Sequence, residues 1–337
     1  MVVTFGEVLM RLTPPEFQRI KQAHSFQIDF GGAEANTAVS LAQFGLHTTH
    51  VTKLPSNEVG FLCKSELMKY GVDTSSIVLD EDASARMGLY FYEKGASQRS
   101  SQVIYDRANS SVARAKSEDF DWDNILKGAK WFHFTGITPA VSDNLSEILL
   151  TALKVAKAKG ITVSCDLNYR AKLWTKEKAR TVMTTFMPYI DVLFANTGSI
   201  YDVFGIGTAD YGKSDDIKTA IDVAKQVNIV FGTKVVAMTM RKSLSASVNE
   251  WSALIYDGNS YQSKKYQMDI VDRIGGGDSF AAGYIYGVLK GLPMQETVEF
   301  ATAASCLKHT IQGDFNLVSV EEVLQLATGD GSGNIKR

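Results

Sequence analysis

From about residue 120 the chain repeats one unit: an apolar run, a polar residue at its end, then a segment of helical periodicity. The runs are residues 131–135, 161–165, 191–195 and 235–240, and residues 143–159 and 217–228 carry the helical spacing, the first ending at Gly160. Runs that are apolar along their whole length suit strands buried on both faces. Alternation with helices then leaves little choice but a mainly parallel sheet covered by helices, an α/β fold. Such sheets take ligands at the carboxyl ends of their strands. Gly6, Gly136, Asp166, Asn196 and Thr239 fall at those ends. Helices predicted over 296–309 and 320–327 close the chain, and 329–337 reads as a frayed tail.

The first third has a different texture. Residues 2–5 form a short strand ending in Gly6-Glu7, and a second run, 28–30, leads through Gly31-Gly32 into a helix with Ala38, Leu41, Ala42 and Gly45 at helical spacing. Two glycines before a helix invite a polar ligand, although a plain strand-to-helix turn is their more common meaning. In 84–115, Met87, Leu89 and Phe91 alternate with Gly88, Tyr90 and Tyr92, the period of a strand, and a second strand follows a turn at 102–105. This predicts a small antiparallel sheet inserted in the α/β chain and joined by strands from 10–30. Its apolar face needs a cover, from substrate or from another subunit.

The stretch Asp272-Arg273-Ile274-Gly275-Gly276-Gly277-Asp278-Ser279-Phe280 carries the chemistry. Three glycines run into an apolar helix that stops at Lys290-Gly291. Glycine lets backbone N–H groups approach a ligand, and a helix start adds unpaired donors and a positive dipole, so the turn suits phosphate. Asp278 has two readings there. It caps the helix, or it takes a proton from a hydroxyl that attacks the phosphate.

Composition narrows the field. A net charge of −2 with no basic patch argues against nucleic acid, and Cys63, Cys165 and Cys306 lack the spacing of a zinc site or disulfide framework, which suits a reducing cytoplasm. No segment is long and apolar enough to suggest a membrane span or signal peptide. P-loop, GxGxxG, HExxH and GxSxG patterns are absent, and the histidines, His133 among them, read as core or surface residues.

With these residues in view, the chain resembles the ribokinase-like (PfkB) carbohydrate kinases from Val2 to about Leu326. Gly31-Gly32, Asn36-Thr37-Ala38, Leu41-Ala42 and Gly45 look like that family's first signature. Asp272 with Gly275–Phe280 looks like its second, DTxGAGDxF, with Gly276 in place of the usual alanine. Within the family, Gly6 to Pro15, Tyr105-Asp106-Arg107-Ala108, and Asp166-Leu167-Asn168-Tyr169-Arg170 with Leu173-Trp174 are similar to the 2-keto-3-deoxygluconate kinases. The resemblance implies an α/β catalytic domain from 1–9, 31–83 and 116–328, and a β-sheet lid from 10–30 and 84–115 that is often used for dimerisation. It implies ATP and Mg2+, with a monovalent cation as a further candidate. Nucleotide would lie along Gly275 and Gly277 and near Asn196, Thr239, Ala304 and Lys308, and Asp278 would be the base beside an anion hole of Gly275, Gly276 and Gly277.

For a sugar acid, Arg107 and Arg170 are candidates to grip the carboxylate, with Arg170 equally suited to the phosphate side. Tyr90 and Tyr105 offer hydroxyls and ring faces, and Gly32 and Asn36 complete the expected sugar site. Two departures stand out. The acid of the family's magnesium-associated NxxE is Ser199, and its TxGxxG reads Thr239-Met240-Arg241-Lys242-Ser243-Leu244, which makes Arg241 a candidate phosphate contact. A kinase for fructose or another neutral sugar, or a non-catalytic sugar-binding relative, are the competing readings.

Overall fold

The computed structural model describes residues 1–208 and 216–329, so the tail predicted at 329–337 lies outside the described residues except for Gly329. In chain order the first half contains β1 (Val2–Phe5), β2 (Leu9–Thr13), β3 (Gln27–Gly31), α1 (Ala33–Gln43), β4 (Thr48–Pro55), α2 (Glu58–Lys69), β5 (Ile77–Asp80), β6 (Gly88–Glu93), β7 (Gln102–Asp106), α3 (Trp122–Ile125), β8 (Trp131–Thr135), α4 (Ile137–Val141), α5 (Asp143–Ala158) and β9 (Thr162–Asp166). The second half adds α6 (Lys176–Phe186), β10 (Val192–Ala195), α7 (Thr197–Phe204), α8 (Ile217–Phe231), β11 (Val235–Ser243), β12 (Val248–Tyr256), β13 (Ser260–Gln262), β14 (Tyr266–Asp269), α9 (Gly276–Lys290), α10 (Met294–Lys308) and α11 (Val320–Thr328).

The large sheet runs β13-β12-β11-β10-β9-β8-β1-β4-β5, with β14 also on β12. From β5 to β11 every neighbouring pair is parallel, and β12 turns the pattern antiparallel at one edge. Strand alternation divides the two layers of core. On β10, Leu193 and Ala195 join the cluster beneath α5 and α8, whereas Val192 and Phe194 face α9 and α10. Helix α5 shows why it lies flat on the sheet: Leu145, Ile148, Leu149, Ala152, Leu153 and Ala156 recur at three- and four-residue spacing and are all buried. Two buried polar groups of β8 share one partner on β9. His133 Nδ1 and Trp131 Nε1 both meet Ser164 Oγ, at 2.8 and 2.7 Å, which places His133 in the core.

The second sheet has the order β3-β2-β6-β7. It is mixed where an antiparallel sheet was expected, because β2 runs parallel to β6. A parallel partner requires a crossover, and here β4, α2 and β5 intervene between the two strands. Register sorts its faces. Asp29, Arg11, Tyr90 and Tyr105 stand opposite one another on the inner face. Ile28, Leu12, Phe91 and Ile104 form a row on the outer face, where Ile28 and Ile104 are each 52% exposed. Tyr92 is buried, with the Arg11 guanidinium 4.4 Å from its ring centroid.

Candidate active site

A cavity of about 650 Å³ opens where the carboxyl ends of the parallel strands meet the inner face of the small sheet. Two glycine turns aim two helix starts into it. Gly275 has φ +86°, the left-handed region, and a β-carbon there would collide with the Asp314 carbonyl oxygen, so only glycine serves. Helix α9 begins at the next residue and α1 begins after Gly32. Both starts turn their unpaired donors and positive dipole ends toward the same space.

The two turns are joined by one hydrogen bond. Asn36, in the first turn of α1, donates from Nδ2 to Asp278 Oδ2 at 2.7 Å, and its Oδ1 accepts the Gly32 N–H at 3.3 Å. The cap of α9 is Gly275, with no side-chain hydrogen bond, so Asp278 does not cap the helix. It lies in the first helical turn, 8% exposed, and lines the cavity. Burial pushes its carboxyl up to about 8; the Asn36 hydrogen bond opposes this, and Asp166, Glu34 and Asp314 add to it.

Asp166 ends β9, as its place after an apolar run required. Its Oδ1 accepts the Asn168 N–H at 3.1 Å, and burial pushes the carboxyl up to about 6 against the pull of Arg170. Glu34 is buried and accepts from the Thr135 N–H and from the Thr135 and Thr138 hydroxyls at 2.7–2.9 Å. Three carboxyl groups thus crowd one end of the cavity and hold protons more tightly than free carboxyls do.

Gly32, Asn36, Tyr90, Tyr105, Arg107, Arg170, Asn196, Thr239, Arg241, Gly275, Gly276, Gly277 and Asp278 all line this one cavity. Their contacts refine the expectations. The Tyr90 hydroxyl donates to Asp314 at 2.7 Å, so its proton is not available to a ligand. Arg107 is already paired with buried Glu7, through Nε at 2.7 Å and through Nη2, and lies over the Tyr105 ring. Glu7 also accepts from Ser110 Oγ, which fixes the guanidinium on one lip of the cavity; Arg170 stands on the loop after β9, on the other.

Two expected nucleotide contacts do not reach the cavity. Ala304 and Lys308 lie on the buried face of α10: the Ala304 carbonyl accepts from Asn316, and the Lys308 ammonium donates to Ile311 O at 3.0 Å. A helix seen from sequence alone does not reveal which of its faces meets the ligand. Ser199, the replaced acid, completes a capping box with Asn196: Asn196 Oδ1 accepts the Ser199 N–H at 2.8 Å and Ser199 Oγ accepts the Asn196 N–H at 3.2 Å. Its oxygen secures the start of α7 and is committed there.

Sequence reading missed Arg273, Asp314 and Glu7. Arg273 lines the cavity beside Arg241, anchored by Nη2 to Ala246 O at 2.8 Å. Burial and this neighbour together lower the Arg241 pKa, so two guanidiniums share one wall near the glycine turn. The signal was present: arginine stands in the second signature where the family pattern has threonine. Asp314 sits far from either signature and gave none, and Glu7 lies unassigned within the similar stretch from Gly6 to Pro15.

Two helix starts at the strand ends of a parallel sheet, with a buried carboxyl between them, suit transfer of a phosphoryl group to a small molecule held under the small sheet. The chain belongs to the pfkB family of carbohydrate kinases, which it matches over residues 1–317. It is 33% identical over 332 residues to a 2-dehydro-3-deoxygalactonokinase of Haloferax volcanii, covering 98% of each chain. It is 27% identical to a 2-dehydro-3-deoxygluconokinase of Bacillus subtilis, covering 96% of this chain and 93% of the relative. The structure of a 2-dehydro-3-deoxygluconokinase from Thermotoga maritima superposes with a TM-score of 0.94 at 51% identity, over 97% of this chain and 98% of that one. The fold is thus ribokinase-like, a large mostly parallel sheet flanked by helices with a separate small sheet. No helix among the described residues is long and apolar enough to cross a membrane.

Proposed function

We propose that this kinase transfers the γ-phosphoryl group of ATP to the terminal hydroxyl of 2-keto-3-deoxygluconate, giving 2-keto-3-deoxy-6-phosphogluconate. The observation that carries the reading is the placement of charge. Arg107 and Arg170 flank the sugar end of the cavity, and Asp278 lies between that end and the glycine turn. A sugar acid brings its carboxylate to the arginines, where charge-assisted pairs hold it. Its far hydroxyl then reaches Asp278. A neutral sugar would leave those cations without a partner from the substrate. The names of the relatives from Thermotoga maritima and Haloferax volcanii support a keto-deoxy sugar acid and differ in the sugar's configuration.

Asp278 accepts the hydroxyl proton as the phosphoryl group departs from ATP. A base with a pKa near the working pH suits this transfer, and a loose transition state asks for little more than positioning and charge. The α9 N-terminus with Gly275–Gly277 receives the developing negative charge. Arg241 and Arg273 hold the phosphates in place of the missing glycines of the nucleotide loop. Mg2+ supplies charge neutralisation on the phosphates when bound. Among the described residues no cluster of three or more His, Cys, Asp or Glu could cage a metal. A hydrated ion that takes one or two carboxylates and the phosphates fits better, and Asp166 is the carboxylate that would hold it. Domain roles follow: residues 10–30 and 84–115 act as the lid, and its outer apolar row pairs two copies of the chain.

The test is ADP release by the purified protein with 2-keto-3-deoxygluconate, its galactonate epimer, fructose and ribose. The reading requires kcat/KM for the sugar acids to exceed that for the neutral sugars by at least about 10-fold, the worth of one charge-assisted pair. Preference for fructose would refute it.

A further inference from the structure

Behind the glycine turn lies a buried charge cluster that the transfer reaction leaves unexplained. Arg11, on β2, is fully buried. Its Nη2 donates to Asp272 Oδ2 at 2.5 Å, its Nη1 to Asp314 Oδ1 at 2.6 Å and its Nε to Thr13 Oγ1 at 2.8 Å. Asp272 precedes the turn: its Oδ1 accepts the Ile274 N–H and its Oδ2 the Gly313 N–H, each at 3.2 Å. Asp314 lies on the loop after α10, with its carbonyl oxygen packed beneath Gly275 and both carboxylate oxygens taking the Tyr90 hydroxyl. Each of the four carboxylate oxygens therefore faces an internal donor, the two of Asp314 sharing the single Tyr90 proton. Lys308 fills the remaining space, its stem against Gly275 and its ammonium on Ile311 O.

We propose that Arg11 is the resident cation of the phosphate-binding turn, a tethered guanidinium in the role that a bound monovalent ion would fill, and that this kinase needs no such ion. A monovalent ion requires several oxygens turned toward it and away from other cations. The carboxylates framing this turn are both directed at the Arg11 guanidinium and take backbone N–H groups and the Tyr90 hydroxyl besides, so the residues present do not fit the ion. An ion entering there would also meet two like charges at short range in a poorly solvated site. Arginine is permanently charged, and its planar fork reaches two carboxylates at once. A tethered cation further does what an ion cannot. Arg11 belongs to the small sheet, so it fixes the sheet over the acceptor to the turn that receives the phosphates. It is a positioning residue, without contact to the reacting atoms.

The test uses the purified full chain in potassium chloride and in choline chloride at equal ionic strength. Wild type should show Tm, ATP Kd and turnover within about twofold or 1 °C between the two salts. Arg11→Ala leaves two buried carboxylates without their cation, and a fall in Tm of about 4–7 °C is expected. Its kcat should fall more than its KM for ATP rises, and guanidinium at tens of millimolar, far below denaturing concentration, should restore turnover several-fold. Arg11→Lys should fall between the two and respond to neither salt. Potassium stabilising or activating wild type would overturn the proposal, and so would an Arg11→Ala protein as stable as wild type. Should Arg11→Ala fail to fold, the wild-type salt comparison and Arg11→Lys still decide, and the salt effect on Tm and ATP binding does so without reference to the sugar.

Discussion

Replacing Asp278 by asparagine should make the protein inactive and more stable at once. The folded carboxyl titrates near 8, pushed there chiefly by burial, against 3.8 for an ordinary aspartate. Between those values the folded protein keeps a proton that the unfolded chain has released. The associated stability is fully present below pH 4 and is lost as pH rises toward 8. At pH 7 about three units separate the two states, which is on the order of 4 kcal/mol at 1.36 kcal/mol per unit. Asparagine has the same shape, does not ionise, and can still accept from Asn36. Part of that figure is recovered by local relaxation, so a gain of about 1–4 kcal/mol at pH 7–8 is expected. With about 2 cal/mol/K of unfolding entropy per residue, this raises Tm by roughly 2–6 °C. Thermal melts of both proteins from pH 4.5 to 8.5 provide the assay, and the gap should close toward the acid end. In the same proteins, kcat should fall by about 10²–10⁴ on loss of the base, and wild-type kcat/KM should climb with pH toward a plateau above about 8. A variant no more stable than wild type at pH 8 would refute the buried, protonated carboxyl, and one that keeps most of its kcat would refute the base.

Arg107→Ala should raise KM for the sugar acid by about 10–150-fold, the loss of a charge-assisted pair, with a much smaller change for any neutral sugar; Glu7→Gln in the same background separates this from the cost of stranding Glu7, and equal losses on both sugars would end the assignment. Arg241→Ala and Arg273→Ala should each raise KM for ATP by about 10-fold and leave KM for the sugar nearly unchanged, so a shift confined to the sugar would remove both from the nucleotide side. Sedimentation at micromolar concentration should show a dimer that Ile28→Asp with Ile104→Asp converts to monomer, since charges in an apolar interface are costly to bury; a wild type sedimenting only as monomer refutes the pairing.

Local patterning carried much of this architecture into the sequence. Strands such as β8 and β10 are mostly apolar and buried along their length because helices cover both faces, and α5 shows its buried stripe because a lone helix has only one face to bury. The glycines at 31–32 and 275–277 were legible for the same kind of reason: backbone geometry there admits no side chain, and that demand is local. The antiparallel edge, β12 to β14, was not legible: β13 and β14 are short and half-exposed, and nothing local in the longer, mostly buried β12 fixes the direction in which it pairs.

The sequence by itself determined which chemistry is available: two anion-binding helix starts, a carboxyl beside one of them, and arginines matched to an acidic substrate. Tertiary structure alone decided what those groups face. Asn36 meets Asp278 across 242 residues of chain, Arg11 reaches Asp272 and Asp314 across 261 and 303, and Glu7 claims Arg107 across 100. No periodicity encodes such contacts. They arise because β2 and β6 carry the small sheet over the strand ends, while α10 and the loop behind it close under the glycine turn. Burial then does the rest: it raises the Asp278 pKa, turns Lys308 and Ala304 away from the cavity, and makes a buried arginine necessary where acids crowd together.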